Sequence, residues 1–182
     1  MAKALLIVDF QNDFTPPSGA LAVPHGDEIA ARLNELASDP RYVLVLATRD
    51  WHPPDHGSFE EQGGPWPAHC VHGTDGAQLH PALDLKHVDA VIDKGQRRDT
   101  DGYSAFENAE LAELLRENGV TGVTIVGLAT DYCVLNSARD ALREGFAVTV
   151  DTSATRAVDA TPGDGERALA ELEGLGARVT RP

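Results

Sequence analysis

The chain is expected to form an α/β fold, with one doubly wound, mostly parallel sheet and helices on both faces. Two observations predict it. Short continuous apolar runs recur along the 182 residues, as strands buried on both faces require. Segments with apolar residues at helical spacing stand between most of them. A third feature, an aperiodic stretch at about residues 50–82, breaks the rhythm and draws attention to itself. The length suits one domain spanning residues 1–182, with that stretch as a metal-binding loop.

Ala4-Leu5-Leu6-Ile7-Val8 predicts the first strand, and Ile29, Leu33, Leu36 and Ala37 set one face of a helix over 27–37. Strands are expected at 42–47 and, after the long loop, at 88–92. A short helix carrying Leu111, Leu114 and Leu115 ends at Asn118-Gly119. A strand at 123–126 leads into a helix beginning near Thr130, and 146–150 forms the next strand. Thr161-Pro162-Gly163-Asp164 has the form of an N-cap with Pro at the first helical position. The helix it opens carries Ala168, Leu169, Leu172 and Leu175, and 177–180 closes the sheet.

Fifteen basic and 29 acidic residues give a formal charge of -14, which opposes binding to nucleic acid or an anionic membrane. No apolar run is long enough to span a bilayer, and the N-terminal residues show no signal-peptide pattern, so a cytoplasmic protein is expected. Two cysteines, Cys70 and Cys133, are too few for a disulfide scaffold. A small-molecule partner is expected; a homo-oligomer is compatible with the sequence, which does not specify one.

Ligands of open α/β sheets gather beyond the carboxyl ends of the strands. Asp9, Asp50 and Lys94 end the first three strands, and the fourth runs into the turn before Cys133. With Thr130 as N-cap, Cys133 lies in the first helical turn, where the helix end can lower a thiol pKa from about 8.5 toward roughly 3.5–7.5. The N–H groups there suit an oxyanion. Asp9 is a base for the thiol proton, and Lys94 keeps carboxylate and thiolate ionised.

Asp50-Trp51-His52-Pro53 supplies a second constellation. In extended backbone Asp50 and His52 face the same way, giving a carboxylate and an imidazole for one divalent metal. A third ligand is expected from His56, His69, His72 or His80. Cys70 is a poor co-ligand if its neighbour His69 binds. The nucleophile and metal constellations come from separate segments, and each is expected to be complete without the other. Phe10, Phe59, Phe106 and Phe146 are assigned to packing. Phe14, Trp66 and Tyr103, in aperiodic surroundings, are suited to wall a slot for a flat ring.

These stretches, with 6–14, 66–71, 101–106 and 127–134, resemble the nicotinamidase (pyrazinamidase-like) branch of the isochorismatase-like cysteine hydrolase family. The resemblance implies that family's fold and a catalytic triad of Asp9, Lys94 and Cys133. It implies metal ligation by Asp50, His52 and His69, with zinc expected and iron or manganese as alternatives. It implies a cis peptide between Leu128 and Ala129, an oxyanion hole from the Ala129 and Cys133 N–H groups, and a ring site from Phe14, Trp66, Tyr103 and Leu128. The implied reaction is hydrolysis of nicotinamide through a Cys133 thioester, a step of NAD salvage, with the metal on the pyridine nitrogen. Competing readings are an isochorismatase-like hydrolase of another small substrate, a zinc hydrolase whose metal-bound water attacks, and an acidic binding protein.

Overall fold

In the computed structural model, which describes residues 2–182, six strands lie side by side. They are β1 (Ala2–Val8), β2 (Tyr42–Asp50), β3 (Ala90–Lys94), β4 (Val120–Leu128), β5 (Ala147–Arg156) and β6 (Arg178–Thr180). Their order is β3-β2-β1-β4-β5-β6, and every pairing is parallel, so the sheet is wholly rather than mostly parallel. The chain builds outward from β1 to β3, then returns to start β4 on the other side of β1. That reversal is the topological switch point, where the crossovers part and leave a crevice.

Side-chain alternation along the strands divides the core in two. Ala4, Leu6 and Val8 of β1 pack with Leu111 and Leu115 of α2 (Ala109–Glu117), Ala138 and Ala141 of α3 (Leu135–Arg143), and Leu169 and Leu172 of α4 (Asp164–Gly174). Leu5 and Ile7 face the other way, against Leu33 and Leu36 of α1 (Ala30–Ala37). Each such buried Leu, Ile or Val side chain contributes about 1.5–3 kcal/mol. Among the described residues α1 is the one α-helix in this second cluster, and Phe10, Phe14 and Val23 after β1, with Cys70, Ala77 and Leu83 of the long loop, complete the cover. The aperiodic stretch is therefore part of the core.

Several boundaries differ from those expected. β3 begins at Ala90 and not at 88, because Leu85–His87 form a 3-10 turn capped by Asp84, and the Asp89 carboxylate accepts the Val45 N–H (2.8 Å). The shift matters, since it carries the strand through to Lys94. The first helical segment opens as a 3-10 turn at Gly26–Ile29 before α1. α4 starts at Asp164; Thr161 is not its N-cap, because Gly163 (φ 88°) holds that left-handed position. The Asp164 carboxylate reaches back to the Thr161 N–H (2.8 Å). No helix among the described residues is long and apolar enough to cross a membrane.

Candidate active site

The strand order β3-β2-β1-β4 sets four side chains in a row at one sheet edge. Lys94 is the last residue of β3 and pairs in register with Asp50, the last of β2. Asp9 follows β1 in a left-handed conformation (φ 48°), and Cys133 lies just beyond β4. All four are buried.

Lys94 is the hub. Its Nζ donates to the Asp50 carboxylate, to the Gly102 carbonyl (2.6 Å) and to Cys133 Sγ (3.5 Å). An ammonium has three N–H donors, so all are engaged. Asp9 Oδ2 lies 2.8 Å from the same nitrogen but off the line of a hydrogen bond, and this buried oxygen has no other partner. Its sister Oδ1 accepts from the Thr48 hydroxyl (2.7 Å). Asp9, Asp50 and Cys133 each offer an atom within 4.8 Å of the other two. The nucleophile and metal constellations are thus not independent: one ammonium holds carboxylates of both.

The electrostatics follow from this burial. Burial would raise Asp50, but Lys94 and His52 hold it well below the usual carboxylate range. Lys94 stays firmly charged, because Asp50 and Asp9 outweigh its desolvation. Asp9 is pushed up by burial against the pull of Lys94. Burial also raises Cys133 well above an ordinary thiol, again against Lys94, and the two carboxylates add to the rise. The lowered thiol pKa expected from a helix end is therefore overturned. Position at a helix end is a local feature, and burial beside two carboxylates acts against it.

The turn that presents Cys133 also differs from the expected N-cap. Thr130–Val134 form a single π-helical turn after Ala129, and the Thr130 hydroxyl bonds to Thr155 (2.8 Å) instead of capping. The Ala129 carbonyl accepts from Tyr132 and Val134 (both 3.1 Å), although an α-turn would give it to Cys133. The peptide between Leu128 and Ala129 is cis.

The long loop brings the second histidine. A parallel bridge pairs His52 with Val71, through His52 N–H to the Cys70 carbonyl (2.9 Å) and His72 N–H to the His52 carbonyl (2.8 Å). His69 is thereby drawn beside His52 and Asp50, with one ligand atom from each within 4.8 Å of the others. Nδ1 of His52 bonds to the Gly95 carbonyl and that of His69 to the Pro67 carbonyl (both 2.8 Å). A carbonyl only accepts, so both Nδ1 atoms carry the proton, an arrangement that leaves Nε2 for a metal. Burial lowers His69 and favours its neutral form; at His52 the Asp50 carboxylate outweighs burial and raises it. Gly95 is required here: its φ is +63°, and a Cβ would lie 2.4 Å from the His52 ring. The donor set, the protonated Nδ1 atoms and the burial all fit one divalent ion held by Asp50, His52 and His69.

Of the other loop histidines, His56 adjoins this trio without joining its ligand atoms, and His72 and His80 stand apart. His56 is buried and stacks on His52 (4.0 Å between centroids); Nδ1 bonds to Ser58, and Nε2 has no partner. Burial and the neighbouring His52 push it down to about 4. His72 lies outside against Trp51, and His80 against Phe10. Cys70 is fully buried, and burial raises its thiol as well.

A cleft opens beside Cys133, walled by Phe14, Trp66, Tyr103, Leu128 and Ala129, with Asp50 and His69 at its polar side. Trp66 Nε1 donates to the Tyr103 hydroxyl (3.0 Å), fixing both rings. Asp9, Lys94 and His52 stand behind this wall. Sequence reasoning missed several residues. Tyr132 packs edge-on to Trp66 and lines the cavity with Val23, Ser58 and Val158. Phe59, assigned to packing, does pack, but against the rings of His52, His56 and His69. Gln11 clamps Asp50 through both its N–H (2.7 Å) and its carbonyl (2.9 Å). A polar residue three positions past a buried strand was the available signal for Gln11.

A parallel sheet with buried acid, base and thiol at its switch point defines a hydrolase-like α/β scaffold, and the comparisons specify which. Residues 3–181 match the isochorismatase domain, and the chain belongs to that family. It is 40% identical to the nicotinamidase of Escherichia coli, over 97% of this chain and 93% of that one. The pyrazinamidase of Pyrococcus horikoshii, solved in complex with zinc, superposes with a TM-score of 0.92 at 44% identity over the full length of both chains. PnC1 of L. infantum, solved with nicotinate, gives 0.94 at 39% identity, over 99% of this chain and 92% of that one.

Proposed function

We propose that this chain hydrolyses nicotinamide to nicotinate and ammonia through a thioester on Cys133. The observation that carries the proposal is the buried Asp9 carboxylate, ion-paired with Lys94 through Oδ2 and set beside a buried thiol at the end of an aromatic-walled cavity. Similarity to nicotinamidases supports the choice of amide.

In this reading the ring lies between Phe14, Trp66, Tyr103 and Leu128. Asp9 takes the Cys133 proton as Sγ attacks the amide carbon, and its raised pKa makes it the stronger base for that task. Lys94 compensates the charge that passes between carboxylate and sulfur. The Ala129 and Cys133 N–H groups receive the oxyanion. Asp9 returns the proton to the leaving nitrogen, the C–N bond breaks, and ammonia departs. A water molecule, deprotonated by Asp9, then cleaves the thioester to give nicotinate and regenerate the thiol.

Asp50, His52 and His69 are proposed to hold the divalent ion, zinc by likeness to the Pyrococcus protein, with iron or manganese as alternatives. When bound, the ion supplies a coordination position for the pyridine nitrogen and so orients the ring. The test is ammonia release from nicotinamide by the purified protein and by Cys133→Ala. Release by the first and not the second is the expected result; equal release by both would transfer the chemistry to a water nucleophile.

A further inference from the structure

The cavity wall contains one segment that neither the nucleophile nor the metal site explains. Val158 lies in the connection between β5 and α4, lines the cavity and packs onto the second core cluster. Its backbone is held from the turn that carries the nucleophile. Asp131, two residues before Cys133, accepts the Val158 N–H on Oδ1 and the Asp159 N–H on Oδ2, both at 2.9 Å. Asp159, in a left-handed conformation (φ 51°), passes the connection on by accepting the Gly165 N–H (2.8 Å) in the first turn of α4. Gly165 has no room for a side chain, since a Cβ would lie 2.6 Å from that of Ala157. The connection is therefore tied at both ends, and Ala157 and Gly165 close against each other.

We infer that Asp131 is a positioning residue that fixes Val158 as a wall of the ring site, and so sets how large a substituted ring the cavity admits. A carboxylate is suited to this because both oxygens act as acceptors for two successive N–H groups. An amide at 131 can accept only one of them and turns its own N–H₂ toward the other. The inference rests on the proposed amide hydrolysis for its kinetic readout, but the clamp itself is measurable without turnover.

The experiment compares the parent enzyme, Asp131→Asn and Val158→Ala on nicotinamide and on a ring-methylated nicotinamide, with amide hydrogen exchange over residues 157–160. Asp131→Asn is expected to raise KM for nicotinamide about tenfold, the scale of one lost charge-assisted hydrogen bond, while kcat changes little. The ratio of kcat/KM values should move toward the methylated amide in both variants, because Val158→Ala removes the same wall without touching the clamp. Exchange at Val158 and Asp159 should quicken only in Asp131→Asn. Unchanged exchange, or a fall in kcat with KM and the substrate ratio unaltered, would overturn the inference by placing the effect of Asp131 on the nucleophile's turn. Should Asp131→Asn not fold, the substrate ratio of Val158→Ala decides: an unmoved ratio refutes the wall. A parent inactive on nicotinamide would defeat the proposed function, and the exchange comparison would still decide the clamp.

Discussion

Replacing Lys94 with methionine removes one charge from a buried cluster and leaves two carboxylates facing each other. Lys94 is almost wholly buried, and its Nζ contacts Asp50 and Asp9. Breaking a buried ion pair on one side costs about 3–5 kcal/mol. For a domain of this size each kcal/mol is about 2–4 °C in Tm, so Lys94→Met should melt roughly 6–20 °C below the parent near pH 8. The pH dependence gives the sharper test. In the parent, Asp50 is held below its unfolded value, so its stabilisation is present at neutral pH and is lost only in acid. In the variant burial acts unopposed by Lys94, so Asp9, already raised in the parent, rises further above its unfolded value. That group destabilises the fold fully above its folded pKa, progressively less as pH falls from there, and not at all below its unfolded pKa. The gap between parent and variant should therefore close on acidification, by up to about 1.4 kcal/mol per pH unit while one extra proton is taken up. Urea unfolding from pH 8 to pH 5, with chelator present so that no ion substitutes for the ammonium, measures it. A gap that is small at pH 8, or that stays flat to pH 5, would refute the assignment of Lys94 as the charge that holds both carboxylates.

Asp9→Asn should lower kcat by about 10²–10⁴-fold, the usual worth of a general acid–base group, with the fold retained; steady-state kinetics and a melting curve check both halves. Cys133→Ala should abolish turnover, whereas Cys70→Ala, altering a buried thiol outside the cavity wall, should keep substantial activity; the reverse pattern in an ammonia assay would show that the wrong thiol was chosen. Asp50→Ala and His69→Ala should weaken nicotinamide binding and lower metal content together, read by calorimetry and metal analysis. Benzamide, with the amide but no ring nitrogen, should be a poor substrate that loses little more on chelation; turnover equal to that of nicotinamide and equally dependent on the ion would contradict ring positioning.

The strand runs and helical spacings made the layer order legible, because a parallel sheet buried on both faces needs apolar residues at nearly every strand position. Legibility ended where tertiary contacts overrule local signals. Thr130 has the chemistry of an N-cap, yet Thr155 claims its hydroxyl and a π-turn replaces the expected one. The helix-end argument for a low Cys133 pKa failed for a similar reason: position in a helix is local, but the burial that opposes ionisation, and the two carboxylates that add to it, come from tertiary packing. The same holds for Lys94, whose link between the two constellations depends on the Asp50 to Lys94 register. His69 could be proposed only as one of four loop histidines on spacing, since the bridge from His52 to Val71 that selects it is a long-range pairing. Val158 and Tyr132 carried no signal, being an ordinary loop valine and one tyrosine beside a cysteine.

The central claim is that the carbonyl carbon of nicotinamide becomes bonded to Cys133 Sγ. Acid quenching during steady-state turnover, followed by peptide mass analysis, tests it directly. The account predicts a nicotinoyl group on the peptide containing Cys133, absent from Cys133→Ala, and diversion to the hydroxamate when hydroxylamine is added. Turnover with no adduct on Cys133 and no hydroxamate would contradict it.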